Sequence, residues 1–312
     1  MVEDLVAGIK KQDLKSISKA ISFVENNIKK NSFILSKLYP IKKNSHRIGI
    51  TGPPGAGKST ITNLLIRHFR TQNKRVAVIL VDPTSPYSNG AVLGDRIRMF
   101  NHYDDKDVFI RSLATRGSKG GLSKNVNEIA DIFSAANFDI VLFETVGVGQ
   151  VEVDVVEKVD TVVLTLVPES GDDIQMMKAG IVEIADIFVI NKADRADANK
   201  LYTSIKNVLN LDNDVSNDWV PSILKTIATE DKGVKELVEE LNKHHLFINE
   251  EENVLSSRIN KRYASKVQEI LSEKLDEKFW NDKNKEIFDF ELSKNIDDRM
   301  SPYSLVDKLL EK

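Results

Sequence analysis

The sequence predicts an α/β protein, a doubly wound and mostly parallel sheet covered by helices, with a helical extension at each end. Three observations predict it. Between residues 46 and 226 short β-rich runs recur, at 46–50, 75–81, 108–113, 139–143, 161–167, 187–190 and 220–224, most of them separated by segments long enough for a helix. Runs such as Val76-Ala77-Val78-Ile79-Leu80-Val81 are apolar at every position, which is the pattern of a strand buried on both faces of a parallel sheet. Outside this stretch the apolar residues step by threes and fours, so both ends read as helical.

In order along the chain, Leu5, Ile9, Leu14, Ile17, Ile21, Val24 and Ile28 keep helical spacing until Pro40 stops the run, which delimits a helical extension over 1–42. The sheet-forming region fills 43–232. From 233 to 312 no good strand occurs. There Val254, Leu255, Ile259, Tyr263, Val267, Ile270, Leu271 and Leu275 mark one long amphipathic helix, whose apolar stripe suits either packing within the chain or an arm onto a second copy. Ser301 as N-cap with Pro302 at the first helical position opens a last helix.

Composition narrows the function classes. A chain of 312 residues, 41% hydrophobic, can bury a sizeable core. The absence of cysteine excludes disulfides and thiolate metal sites. No apolar run approaches the length that spans a bilayer and the first thirty residues carry no uninterrupted apolar segment, so the expectation is a soluble, cytoplasmic protein with no membrane insertion. A net charge of −3 supplies no basic field to recruit nucleic acid, which leaves small molecules and proteins as partners. The five histidines, His46, His68, His102, His244 and His245, show no metal-ligand spacing.

Directly after the first strand stands Gly52-Pro53-Pro54-Gly55-Ala56-Gly57-Lys58-Ser59, which fits G-x-x-x-x-G-K-[ST] at every position. Glycines let the backbone curl so that successive N–H groups point at phosphate oxygens, and the helix that starts near Lys58 adds its positive end. Lys58 is expected to bridge the β- and γ-phosphates, Ser59 to give its hydroxyl to Mg²⁺, and Thr60 to contact the α-phosphate. Acidic partners for the metal belong at the carboxyl ends of neighbouring strands. Asp82 and Glu144 end two predicted strands, and Asp95 lies in the intervening loop. Glu144-Thr145-Val146-Gly147 resembles a D-x-x-G segment with Glu in place of Asp, in which the Gly147 amide senses the γ-phosphate.

Base choice is read from Asn191-Lys192-Ala193-Asp194, an N-K-x-D segment that follows a strand about 130 residues after the phosphate motif. A carboxylate at Asp194 accepts hydrogen bonds from guanine N1–H and its exocyclic amine, whereas adenine presents an acceptor there. Lys192 is expected along the base face and Asn191 to tie this loop to the phosphate loop. A second guanine contact is expected at Ile227-Ala228-Thr229, through the Ala228 amide.

With these residues in place, the sequence resembles the MeaB/ArgK GTPases of the SIMIBI class, P-loop NTPases associated with bacterial methylmalonyl-CoA mutase, some of which carry an older name as lysine/arginine/ornithine transport-system kinases. The resemblance runs through 51–60, Val81-Asp82-Pro83, Leu93-Gly94-Asp95-Arg96, the FETVGVGQ run at 143–150, the ESGDDIQ run at 169–175 and the KAGIVEIADIFVINKAD run at 178–194, with Pro302-Tyr303 near the end. It implies a GTPase that converts GTP to GDP, with Ser59, Asp82, Asp95 and Glu144 on the Mg²⁺ network, Gly147 on switch II, and a further mobile segment at 172–178 whose Lys178 is a candidate to stabilise transition-state charge. Lys58, Glu144, Gly147 and Lys178 are thus the expected catalytic set. It also implies a homodimer embraced by C-terminal helices, and a chaperone role in loading and protecting a cobalamin-dependent acyl-CoA mutase. The alternative is a nucleotide-dependent kinase or regulator of basic amino acid transport. Ile227 stands where the family carries Ser, and Glu169 where it carries Gly.

Overall fold

The computed structural model describes residues 2–26, 31–82, 99, 102, 104–114, 125–145, 157–169, 185–211, 219–250 and 252–311. Strands β1 (His46–Thr51), β2 (Val76–Asp82), β3 (Val108–Ala114), β4 (Ile140–Thr145), β5 (Thr161–Leu166), β6 (Ile187–Ile190) and β7 (Ser222–Lys225) form one sheet in the order β3-β2-β4-β1-β5-β6-β7. Every pairing is parallel. Among the described residues the seven predicted runs correspond to these seven strands, with ends displaced by at most two residues.

The period of two along each strand decides which layer each side chain enters. Ala77, Ile79, Val81, Val141 and Phe143 face a layer made by α2 (Leu14–Glu25) and α5 (Val126–Ala135), where Ile17, Ile21, Val24, Ile129 and Phe133 are buried. The alternate positions Val76, Val78, Leu80, Ile140 and Leu142 meet Ile61, Leu65 and Phe69 of α4 (Lys58–Thr71) and Leu237 and Leu241 of α7 (Val234–Glu250). A smaller cluster seats α6 (Ala198–Leu211) on Leu164, Phe188 and Ile190. The segment expected as an N-terminal extension is therefore built into one covering layer, where α1 (Val2–Lys10) and α3 (Asn31–Leu38) join α2 through Leu5, Ile9, Ile34 and Leu38. Asp13 starts α2 by accepting the Ser16 N–H at 2.9 Å.

At the amino ends of β1, β5 and β6 a buried polar chain replaces apolar packing. His46 Nε2 lies 2.7 Å from Thr161 Oγ1, which lies 2.8 Å from His244 Nδ1, and His244 Nε2 lies 3.3 Å from Asp186 Oδ1. The His245 ring stacks on His46 with centroids 4.1 Å apart. Burial, reinforced by the neighbouring His245 and His244, holds the His46 pKa well below its ordinary 6.5. Burial also lowers His245. Below pH 6.5 the unfolded chain then binds protons that the folded chain refuses, so stability is complete above about pH 7 and declines as pH falls through 6.5. The urea midpoint measured from pH 7.5 down to pH 5 is expected to fall, and a flat profile across that window would contradict the lowered pKa of His46 and His245.

The chain divides into two compact units, 1–255 and 256–312. The helix α8 (Glu252–Phe279) runs across that division, and the second unit continues with α9 (Asp282–Ser293) and α10 (Pro302–Leu310). Asn281 caps α9 by accepting the Asn284 N–H at 3.0 Å, and Ser301 caps α10 by accepting the Ser304 N–H at 3.1 Å. Glu291 links these helices, accepting the Met300 N–H at 2.6 Å and a Lys294 hydrogen bond at 2.9 Å. Tyr263, Val267, Ile270, Leu271 and Leu275 are all exposed along α8.

Candidate functional site

In a parallel sheet all carboxyl ends share one edge, and the predicted motifs sit there because each follows a strand. The phosphate motif leaves β1 and enters α4. Gly52 has φ +137°, and a Cβ there would come within 2.0 Å of the Thr165 carbonyl oxygen on β5, so only glycine lets the loop pass so close. Gly57 has φ +91°, and a Cβ there would meet Asn191 Nδ2 at 2.3 Å. Pro54, Gly55 and Thr60 are exposed, while Ala56 and Lys58 are buried. The Lys58 ammonium donates to the carbonyls of Gly52 at 2.6 Å and Pro53 at 3.0 Å, which holds the charge over the loop.

Ser59, one residue further, donates its hydroxyl to Glu144 Oε1 at 2.5 Å. Glu144 is buried in β4, beside β1 in the sheet. Two hard oxygen donors thus stand together at the start of α4, a donor set that suits Mg²⁺, which takes one or two carboxylates together with phosphate oxygens and waters. The residues present fit the metal that the P-loop implies. Asp82 closes β2, and its side chain, like Asp95, Gly147 and Lys178, lies outside the described residues.

The N-K-x-D segment follows β6. Asn191 is buried and its amide does two jobs: Nδ2 donates to the Ala56 carbonyl at 2.9 Å, and Oδ1 accepts from Thr226 Oγ1 and from the Ala228 N–H, both at 3.1 Å. The phosphate loop, the N-K-x-D segment and the loop after β7 therefore meet on one side chain. Lys192 adopts the left-handed conformation at φ +56° and is half-buried, while Asp194 is exposed. The Ala228 N–H, expected to face guanine, donates to Asn191 here. Ile227 is half-buried and contributes backbone alone, its N–H donating to the Lys232 carbonyl at 3.0 Å and its carbonyl accepting the Lys232 N–H at 3.3 Å; Thr229 is exposed.

Three features went unpredicted. Thr226 supports Asn191 from the loop after β7. Glu169 pairs with Arg195 directly after Asp194, and that hydrogen bond holds the Glu169 carboxyl below its ordinary range. Asp231 accepts from both Arg67 and His68 of α4. Nothing in residue spacing points to these pairs, because their members are separated by 26 to 164 positions.

Comparison with known proteins bears on the family and the fold. The model of the methylmalonyl-CoA mutase-associated GTPase MeaB matches residues 17–284. A protein of Pyrococcus horikoshii named as a GTPase is 45% identical over 100% of this chain and 98% of its own length. The GTPase ArgK of Escherichia coli is 35% identical over 74% of this chain and 72% of its own. A crystal structure of an LAO/AO transport system kinase superposes with a TM-score of 0.72 at 23% identity, covering 99% of this chain and 96% of that one, which shows a shared fold. Fold, motifs and relatives agree that the chain belongs to the MeaB family of methylmalonyl-CoA mutase-associated GTPases.

Proposed function

We propose that this MeaB-family GTPase binds GTP with Mg²⁺, hydrolyses it to GDP, and uses the cycle to gate cofactor loading and protection of a cobalamin-dependent acyl-CoA mutase in the cytoplasm. The observation that carries the reading is the Asn191 bridge: a 2.9 Å hydrogen bond to Ala56 joins the phosphate loop to the segment that selects the base. Ser59 and Glu144, with Asp82 and Asp95 as outer partners, would hold Mg²⁺, which when bound neutralises charge developing on the phosphates. The backbone N–H groups of the loop orient the phosphates, and Lys58, already aimed over the loop, places its charge where negative charge grows during phosphoryl transfer. Asp194 accepts from the guanine edge and Lys192 lies along the ring. Gly147 would sense the γ-phosphate, and Lys178 would complete the cationic surround.

The exposed apolar stripe on α8 supports a homodimer in which the C-terminal arm covers a second copy. No helix among the described residues is long and apolar enough to cross a membrane, which is compatible with a cytoplasmic partner. The test mixes the purified chain with a methylmalonyl-CoA mutase and follows GTP turnover. At least about tenfold acceleration is expected if the partner places the Lys178 cation at the γ-phosphate, where it stabilises charge that grows in the transition state, and Lys178→Ala is expected to abolish it. Acceleration that survives the substitution would clear Lys178 of its role. No complex and no acceleration with any acyl-CoA mutase would favour the transport-linked reading.

A further inference from the structure

We propose that Asp231 is a positioning residue for guanine selection, clamping the loop that carries Ala228 onto the helix that leads out of the phosphate cradle. The inference rests on the guanine reading of Asn191 and Asp194.

Asp231 divides its carboxylate between neighbouring residues of α4: Oδ2 accepts from Arg67 Nη2, and Oδ1 accepts from His68 Nε2 at 2.9 Å. A carboxylate only accepts, so His68 carries its hydrogen on Nε2. The loop behind Asp231 is closed and short. Its neck is the Ile227–Lys232 backbone pair, and within it the Asp231 N–H donates to the Ala228 carbonyl at 3.3 Å. Asp231 itself is left-handed at φ +55°. Gly233, at φ +77°, lets the chain turn into α7, since a Cβ there would strike the Lys225 carbonyl oxygen at 2.2 Å. With so little slack, a shift of Asp231 is passed to Ala228, three residues away.

The contacts form a closed circuit. Ala56 in the phosphate loop accepts from Asn191, Asn191 accepts from the Ala228 N–H, and the Ala228 loop reaches α4 through Asp231. From there α4 leads back to Lys58. Arg67 and His68 stand about 14 Å along the helix from Lys58 at 1.5 Å per residue. One rigid helix therefore sets how far the base-reading loop lies from the phosphate cradle. Ile227 ties the loop only to Lys232 through backbone, so the carboxylate clamp is what joins the loop to α4. Arg67 is more than half exposed, so the clamp adds little to global stability. Its effect falls on loop placement.

The experiment compares Asp231→Asn with wild type in the full chain, measuring Kd for GDP and ADP by calorimetry, GTP turnover at saturation, and thermal melting. GDP affinity is expected to weaken about tenfold, with ADP affinity, saturated turnover and melting temperature nearly unchanged; Asp231→Glu should recover part of the loss. If Asp231→Asn folds poorly, Arg67→Gln and His68→Gln are read in its place, each with a smaller shift in the same direction. Equal weakening for GDP and ADP would show a merely structural role and overturn the proposal, as would an unchanged GDP-to-ADP ratio. A wild-type chain without guanine preference would instead remove the reading beneath it, an outcome visible before any variant is made.

Discussion

Lys58→Ala is expected to lower GTP turnover by about 10³-fold, and Ser59→Ala by a comparable factor. Removing one preorganised donor from a site where charge develops typically costs about 10²–10³-fold, and Lys58 brings a full charge. Its ammonium is buried and already fixed by the Gly52 and Pro53 carbonyls at 2.6 and 3.0 Å, so little reorganisation is needed when phosphates take over those hydrogen bonds. An alanine leaves the loop amides in place but no positive group at the γ-phosphate. Ser59→Ala removes the hydroxyl beside Glu144 Oε1 and with it one of two adjacent oxygen donors suited to Mg²⁺. Turnover should be measured over a Mg²⁺ titration, with melting curves to confirm folding: the serine variant should need more Mg²⁺, while the lysine variant should stay slow at every concentration. Wild-type hydrolysis in both variants would take the phosphate motif out of the mechanism.

The wild-type chain is expected to prefer GTP over ATP by at least about a hundredfold, and Asp194→Asn to erase most of that preference. A site built to hydrogen-bond a particular group rejects an analogue that leaves its polar atoms unpaired. Asp194 is exposed at the edge of the site, two residues beyond the left-handed Lys192, and Asn191 anchors the segment from below. The asparagine variant keeps the shape but replaces one carboxylate oxygen with a donor that opposes guanine N1–H. Calorimetric Kd values for GTP and ATP decide the matter. Comparable affinities in the wild type would refute the guanine assignment, and a full preference in Asp194→Asn would move base selection elsewhere.

These two effects concern residues that were legible in the sequence because their chemistry is local. A phosphate cradle needs glycines, a lysine and a hydroxyl at fixed spacing in one continuous turn, and a guanine reader needs its carboxylate within one short loop. The strands were legible for a similar reason, since burial on both faces writes an uninterrupted apolar run such as 76–81. Order within the sheet was not legible: β4 inserts between β1 and β2, and no residue pattern within those strands announces it.

By itself, then, the sequence determined the α/β class, the phosphate and base motifs, and the helical character of both ends. Only the tertiary structure decided that the first helices form a covering layer, because helical periodicity shows which side is apolar but not what it lies against. Only the structure joined Asn191 to Ala56 and Ala228, Glu169 to Arg195, and Asp231 to Arg67 and His68. Such contacts link side chains from separate strand ends and helices. They depend on which strands and helices the fold sets side by side, through strand direction and strand order, rather than on any local run of residues.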